Sequence, residues 1–545
     1  MSPIENAFGI LFCFFLSILL ASLLAGCGGG GGGGGASGSS SASVSTTPAT
    51  TPVAAVCAAS GLVAPLADAS APAAVWSISS GSARTYAETP AASEDLINPM
   101  RGYHRWINRE QVPQASPSQV VYNRFFWKSL ETAEGVYDFS ALLAEASAAK
   151  AQGKKYAFRL RMMNGDADAS VYLPDYVYKN PACAHECGFT AAYKAMDPVT
   201  YALLPAVYSF VPDWNDAWLQ TRAKALLTAL RDALKTAGIE LAWIDVGLYG
   251  QYGEWYVRPT YYLGSPQGNV PAGVTAITAA SKQAFARMHF EVFPDVQHVM
   301  FAKLDQLDAL SWGLSQTLTS KPVGLRTDCL GKTLTLGEWE SNPASFALIQ
   351  DQWKKAPFIA EFCSPDSGKN VVDLALASSQ ITRYHISTLG NGQIAPKASS
   401  DIDARWSFLT SDEQSALIGL GRQAGYRYFI SESGVSLNAD GSLRIRAALR
   451  NGGSAPSYES WKLNLELVDA AGAVAASQPL SLNLQDNLGN CSSQLIDTNW
   501  NPAVSNSGSY TLRIAATHSF WPRLKWVQQG RNTDGSLTLA TVQLK

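Results

Sequence analysis

The stretch Leu241-Ala-Trp-Ile-Asp245-Val-Gly-Leu248-Tyr-Gly-Gln-Tyr-Gly-Glu254-Trp255 decides the fold. Its apolar first half reads as a buried strand, and a carboxylate follows the strand's end. Ala356-Pro-Phe-Ile-Ala-Glu361-Phe-Cys363 repeats the pattern. From about Asn98 to Gln393, short β-rich runs alternate with amphipathic helical segments, as in parallel α/β proteins. Eight runs count as strands: Met100 to Trp106, Val120 to Phe126, Lys155 to Met162, Leu241 to Leu248, His298 to Leu304, Pro322 to Thr327, Pro357 to Glu361 and Tyr384 to Leu389. Eight strands in roughly 300 residues predict a (β/α)8 TIM barrel, in which Glu254 and Glu361 would open onto one mouth.

The barrel is expected over residues 56–420. The insert from Asn164 to Asp213 is rich in Tyr, Pro and Asp, and loops of that length are usually functional, so it is predicted to lie over the mouth. Residues 421–545 change texture, with alternating runs broken by Asn438-Ala-Asp-Gly, Asn451-Gly-Gly and Asp469-Ala-Ala-Gly. They predict a C-terminal antiparallel β-sandwich, either an accessory domain packed against the barrel or a carbohydrate binder.

The chain has 545 residues, 47% apolar and 16% charged, enough for one large domain and a smaller one. A net charge of -3 and the lack of a basic block argue against nucleic acid as a partner. No Gly-x-Ser-x-Gly elbow, P-loop or His-Glu-x-x-His occurs, so serine hydrolysis, nucleotide hydrolysis and zinc proteolysis lack support.

Residues 1–27 combine an apolar stretch from Gly9 to Ala25 with Leu23-Leu24-Ala25-Gly26-Cys27, and resemble a bacterial lipoprotein signal. The resemblance implies cleavage before Cys27 and a lipid on that cysteine, anchoring the chain to a membrane. Gly28, where an aspartate would signal inner-membrane retention, favours the outer membrane. A plain cleaved signal and an uncleaved anchor are the alternatives. Residues 28–55, built of Gly, Ser, Thr, Ala and Pro, predict a flexible tether.

Export places six further cysteines in an oxidising compartment. Cys183 and Cys187 are close in one loop, Cys329 and Cys363 follow successive predicted strands, and Cys57 and Cys491 are left at the two ends. Pairing in that way is expected, with other connectivities open. A metal site is the rival, but Cys183-x3-Cys187 lacks a second ligand pair at zinc spacing, so no metal is expected.

Acetal cleavage needs one carboxylic acid to protonate the leaving oxygen and a second carboxylate to attack the sugar or activate water. Glu254 and Glu361 suit those roles and require no cofactor. Asp328, at the end of the sixth run, is a candidate for a sugar hydroxyl or an alternative base. Asp245, inside the fourth run, fits a buried hydrogen-bond network better. Arg159 and Arg161 alternate on one face of the third run and point either at a structural ion pair with the glutamates or at substrate. Tyr103, Trp106, Trp127, Tyr249, Tyr252 and Trp255 gather near predicted strand ends, where rings either stack on sugars or pack the core. His104 and His385 are candidates to reach substrate, a structural role being the alternative.

Five segments carry a resemblance to the clan A glycoside hydrolase barrels, and to uncharacterised bacterial glycosidase-like proteins within them. They are Asn98-Pro-Met-Arg-Gly-Tyr103, Trp127-Lys-Ser-Leu-Glu131-Thr-Ala-Glu-Gly-Val-Tyr-Asp-Phe139, Gly250-Gln-Tyr-Gly-Glu254-Trp255, Asp328-Cys329 and Glu361-Phe-Cys363. The resemblance spans the barrel only. It implies Glu254 as general acid/base after the fourth strand, Glu361 as nucleophile on the seventh, retention of anomeric configuration and a carbohydrate substrate. Many clan members have Asn-Glu where this chain has Gly253-Glu254.

Overall fold

In the computed structural model the eight runs become eight parallel strands that close into a barrel in chain order. They are Gly102–Trp106, Val120–Phe126, Lys155–Arg161, Leu241–Leu248, His298–Phe301, Gly324–Thr327, Phe358–Glu361 and Thr388–Gly390. The structure describes residues 57, 76–81, 83–85, 96–106, 118–165, 168–193, 207–257, 270, 272–363, 365–366, 369–390, 406, 409–528 and 530–545. The leader, Cys27 and the whole tether of residues 28–55 lie outside them. Among the described residues no helix is long and apolar enough to cross a membrane.

Strand alternation sorts the side chains into two layers. One buried cluster, including Met100, Trp106, Val120, Tyr122, Ala157, Trp243, Val299 and Ile359, fills the barrel interior. A larger one, with Tyr103, Tyr156, Phe158, Leu160 and Phe358, packs strands against the outer helices. The helix Ala217–Thr236 shows why the outer layer forms: Asp216 caps it by accepting the Leu219 N–H, and Leu219, Ala223, Leu226, Leu227, Leu230 and Leu234 make one buried stripe.

The last run differs from its predicted span. Asp373 caps the helix Leu374–Arg383, which takes up the residues before Tyr384, so the eighth strand starts only at Thr388. The insert folds in part as a hairpin pairing Gly188–Tyr193 with Val207–Pro212.

The C-terminal region is a sandwich of a five-stranded and a four-stranded antiparallel sheet around one apolar core. Two of its strands come from upstream, inside the span predicted as barrel. Trp76–Ser80 pairs with Leu537–Leu544, and Ala83–Thr85 with Tyr428–Leu437. They cover sheet edges that would otherwise expose unpaired backbone, and Trp76 enters the core.

The sandwich closes the N-terminal end of the barrel. Arg101 donates from Nε to Tyr426 O at 3.0 Å, Ser454 Oγ to Ile386 O at 2.8 Å, and Tyr458 OH to Trp353 O at 2.5 Å. Lys155, at the start of the third strand, pairs with Glu459 at 3.1 Å. The disulfides are Cys57–Cys491, Cys183–Cys187 and Cys329–Cys363, as expected from placement along the chain.

Candidate active site

The C-terminal mouth gathers Asp245, Glu254, Asp328 and Glu361 with Arg124, Arg159 and Arg326. Glu361 is the last residue of the seventh strand, and Asp328 directly follows the sixth. Leu330 N–H donates to Glu361 O at 3.0 Å, and the Cys329–Cys363 disulfide joins the two strand ends, so Asp328 and Glu361 are held as a unit. Glu254 arrives differently. It lies six residues beyond Leu248, after the short 3-10 turn Gln251–Gly253, and returns towards the third strand.

Glycine is required in that turn. Gly253 has φ +71°, and a Cβ there would sit 3.0 Å from Leu160 O and 3.1 Å from Arg159 Cδ. Any side chain at position 253 would therefore press on the third strand. Gly390 plays a similar part beside Glu361: a Cβ on it would meet Glu361 Cγ at 2.9 Å and His104 Nε2 at 3.0 Å.

The guanidiniums lie between the carboxylates. Arg124 donates from Nη1 to Glu254 Oε1 at 2.9 Å and from Nη2 to both Glu361 oxygens at 2.8 Å, with its plane 4.1 Å from the Trp106 ring. Arg159 grips Asp245 through Nε and Nη2 and reaches Glu254 Oε1 at 3.1 Å. Tyr122 OH also donates to Asp245, at 3.0 Å, which makes Asp245 the network residue its place in the strand foretold. Arg326 meets Glu361 Oε2 at 2.8 Å and Asp328 Oδ1 at 2.6 Å. The contact with Asp328 is misaligned for a hydrogen bond, and Asp328 Oδ1 and Arg326 Nη1 both lack such a partner among the described residues.

Glu254, Asp328 and Glu361 bring one oxygen each to within 4.8 Å of the others. Burial alone would raise Glu254 and Glu361, but Arg124, Arg326 and Arg159 outweigh it and hold both carboxyls below the usual range. Asp328 goes the other way. Burial, with Glu254 and Glu361 nearby, pushes it up to about 8 against the pull of Arg326 and Arg124. The arginines thus favour the charged form of both glutamates, while burial favours the protonated form of Asp328. His104, lowered to about 3 by burial, is neutral behind Glu361, with its ring bonded to Thr388 Oγ1 at 3.2 Å. Oxygens this close could ring a cation, but Arg124 and Arg326 already supply positive charge there.

No protein-family model matches the chain, and no curated protein matches it. Similar solved structures are glycosidases. They include an endo-glycoceramidase II from Rhodococcus sp. (13% identity, 78% of this chain and 100% of that one, TM-score 0.34) and a glycoside hydrolase family 30 subfamily 8 xylanase from Clostridium acetobutylicum (9%, 85% and 98%, 0.34). An exo-β-1,4-mannosidase from Opitutaceae bacterium strain TAV5 is a third (12%, 64% and 62%, 0.32). Scores this low assign neither residues nor substrate.

The structure thus brings Glu254, Glu361 and Asp328 together, with Arg161 beside them and Tyr252 at the rim, 36% exposed. The remaining candidates lie elsewhere. Tyr103 points out of the barrel, its ring against Gly421 and its OH donating to Leu417 O at 2.8 Å. Trp127 is buried in the outer layer and donates to Glu131. Trp255 packs edge-on against Tyr249 behind the fourth strand and donates to Val246 O. His385 precedes the eighth strand at the opposite end of the barrel, stacked on Trp353 and bonded to Ser454 O. Arg124 and Arg326 were not foreseen, although Tyr122, Arg124 and Phe126 alternate in the second strand as Arg159 and Arg161 do in the third.

Proposed function

We propose that the protein is a retaining glycoside hydrolase acting on an oligo- or polysaccharide. The observation that carries this reading is the carboxyl cluster, with one oxygen each of Glu361, Asp328 and Glu254 within 4.8 Å. Carboxyls this close favour retention, which uses a separation of roughly 5 to 5.5 Å, over inversion, which needs roughly 6.5 to 9.5 Å to admit a water. Glu361, held ionised by Arg124 and Arg326, attacks the anomeric carbon and forms a glycosyl ester as the C–O bond to the leaving group breaks. The leaving oxygen takes the proton of Asp328. In the second step water attacks the anomeric carbon, its proton passes to the Asp328 carboxylate, and Glu361 is released.

The acid role moves from Glu254 to Asp328 because a group ionised by three guanidiniums has no proton to give at neutral pH. Glu254 instead holds Arg124 and Arg159 in place. One observation favours a second reading, a carbohydrate-binding protein without turnover: both glutamates are already paired with arginines. As to location, the Cys27 motif and three disulfides support an exported, lipid-anchored protein of the outer membrane.

A screen of aryl glycosides and polysaccharides with the wild type, Glu361→Gln and Glu254→Gln tests this reading. Glu361→Gln should lower kcat/KM at least about 1,000-fold, and Glu254→Gln less. Turnover that survives Glu361→Gln rejects the mechanism, and saccharide binding without turnover in the wild type favours the second reading.

A further inference from the structure

Among the described residues at the mouth, Arg161 is the one guanidinium whose charge meets no carboxylate. It follows Arg159 by two residues, so both point to the barrel interior, and its Cβ lies 3.4 Å from where a Gly253 Cβ would be, beside Glu254. Arg124, Arg159 and Arg326 each reach two or more carboxylates. Among the described residues Arg161 has no ion pair; its Nη1 makes only a long 3.4 Å contact with Asn164 Oδ1, and its buried Nε has no acceptor. Asp168, in the loop after the third strand, is engaged elsewhere, accepting from Asn164 Nδ2 at 2.7 Å and Tyr172 OH at 2.6 Å.

The group is nevertheless held in place. Its guanidinium lies 3.7 Å from the centre of the Phe126 ring, and Phe126 stacks on Tyr172 at 3.7 Å. Burial and the charges of Arg124 and Arg159 lower it to about 10. A fixed, partly buried cation repelled by its neighbours, with no counter-charge and an unfilled Nε, is costly to keep unless a ligand supplies the missing anion. The other three arginines already face carboxylates, so among the described residues at the mouth Arg161 is the cation without a counter-charge.

We propose that Arg161 receives an anionic group on the substrate, so that the sugar bound at the mouth is acidic, carrying a carboxylate or a sulfate ester. This rests on the glycosidase reading and narrows it to a substrate class. A guanidinium presents parallel N–H donors to either anion, in place of the weak contact with Asn164.

The test compares wild type, Arg161→Gln and Arg161→Lys on aryl hexuronides, aryl hexoside 6-sulfates and matched neutral aryl hexosides of both anomers. Wild type should prefer one acidic class, which tells carboxylate from sulfate. Arg161→Gln should lower the acidic-to-neutral ratio of kcat/KM about 10- to 100-fold, mainly through KM, and Arg161→Lys should restore part of it. Neutral hexosides turned over as fast as acidic ones, or equal losses on both, would overturn the proposal. If nothing is turned over, the catalytic reading fails alone, and calorimetry decides on Arg161 with uronic-acid oligosaccharides, their methyl esters and sulfated oligosaccharides. Binding lost on esterification, or confined to the sulfated set, and weakened about 10-fold or more in Arg161→Gln sustains it. Charge-independent binding, or none across the panel, overturns it.

Discussion

Both ends of the barrel bury charge, and they do so differently. At the base, Lys155 meets Glu459 at 3.1 Å, His518 adds a second contact to the same carboxylate at 3.3 Å, and the sandwich seals the group. At the mouth, among the described residues, four carboxylates face four arginines, yet burial favours the protonated form of Asp328 and Arg161 meets no carboxylate. A site built only for stability has no reason to leave one donor and one cation incomplete, since each costs free energy unless something binds. The base is a structural joint, and the mouth is arranged for a ligand.

Removing the proton at the mouth should give the largest effect. Asp328→Asn is expected to lower kcat about 100- to 10,000-fold on glycosides with poor leaving groups and far less on those with good ones, because only the former need an acid. The active form of Asp328 is protonated, so wild-type kcat/KM should fall above about pH 8, and the variant should lack that limb. Stability follows the same sign. The folded protein raises Asp328 from 3.8 to about 8, a contribution fully present below about pH 4 and lost as pH rises to about 8. The melting temperature of the variant relative to wild type should therefore climb across that window. A pH-independent gap would remove Asp328 from the acid role.

Breaking the base should cost stability and leave chemistry alone. Glu459→Gln leaves Lys155 buried without its carboxylate, an expected loss of about 3 kcal/mol at pH 7 with kcat unchanged. Burial would raise Glu459, but His518 and Lys155 bring it down to about 2, so its contribution is present above about pH 4.5 and lost as pH falls towards 2. Denaturant unfolding of wild type and variant should converge over that range. A change in kcat would show that the two ends are coupled.

The same contrast explains what the sequence could disclose. Barrel strands were legible because apolar runs and helical spacing alternate eight times, and Arg159 and Arg161 could be placed inside by their two-residue spacing. Arg124 and Arg326 carried that signal too, on strands where only the apolar residues drew attention. Tyr103 could not be placed, because parallel barrel strands are apolar on both faces and periodicity does not tell inside from outside, and Trp127 and Trp255 lie in turns past strand ends, where no strand period applies. The proton on Asp328 had no sequence signal. It arises from burial of that carboxyl, reinforced by Glu254 and Glu361, which come to it from separate parts of the chain.

Gly253 offers the smallest and most pointed test, because it stands where the resembling glycosidases place asparagine. Gly253→Asn introduces the residue that the resemblance leads one to expect before Glu254, and the local geometry predicts a loss. The backbone at φ +71° accepts asparagine at a cost of roughly 1 kcal/mol. A Cβ 3.0 Å from Leu160 O and 3.1 Å from Arg159 Cδ then pushes the turn off the third strand, and Glu254 follows because it is the next residue. Arg159 also donates to Tyr252 O at 3.3 Å, so the contact anchoring the turn loosens with it. A melting temperature lowered by a few degrees, with turnover reduced severalfold, is the expected outcome. Faster turnover would mean that this mouth tolerates the asparagine arrangement and that Glu254, not Asp328, is the proton donor.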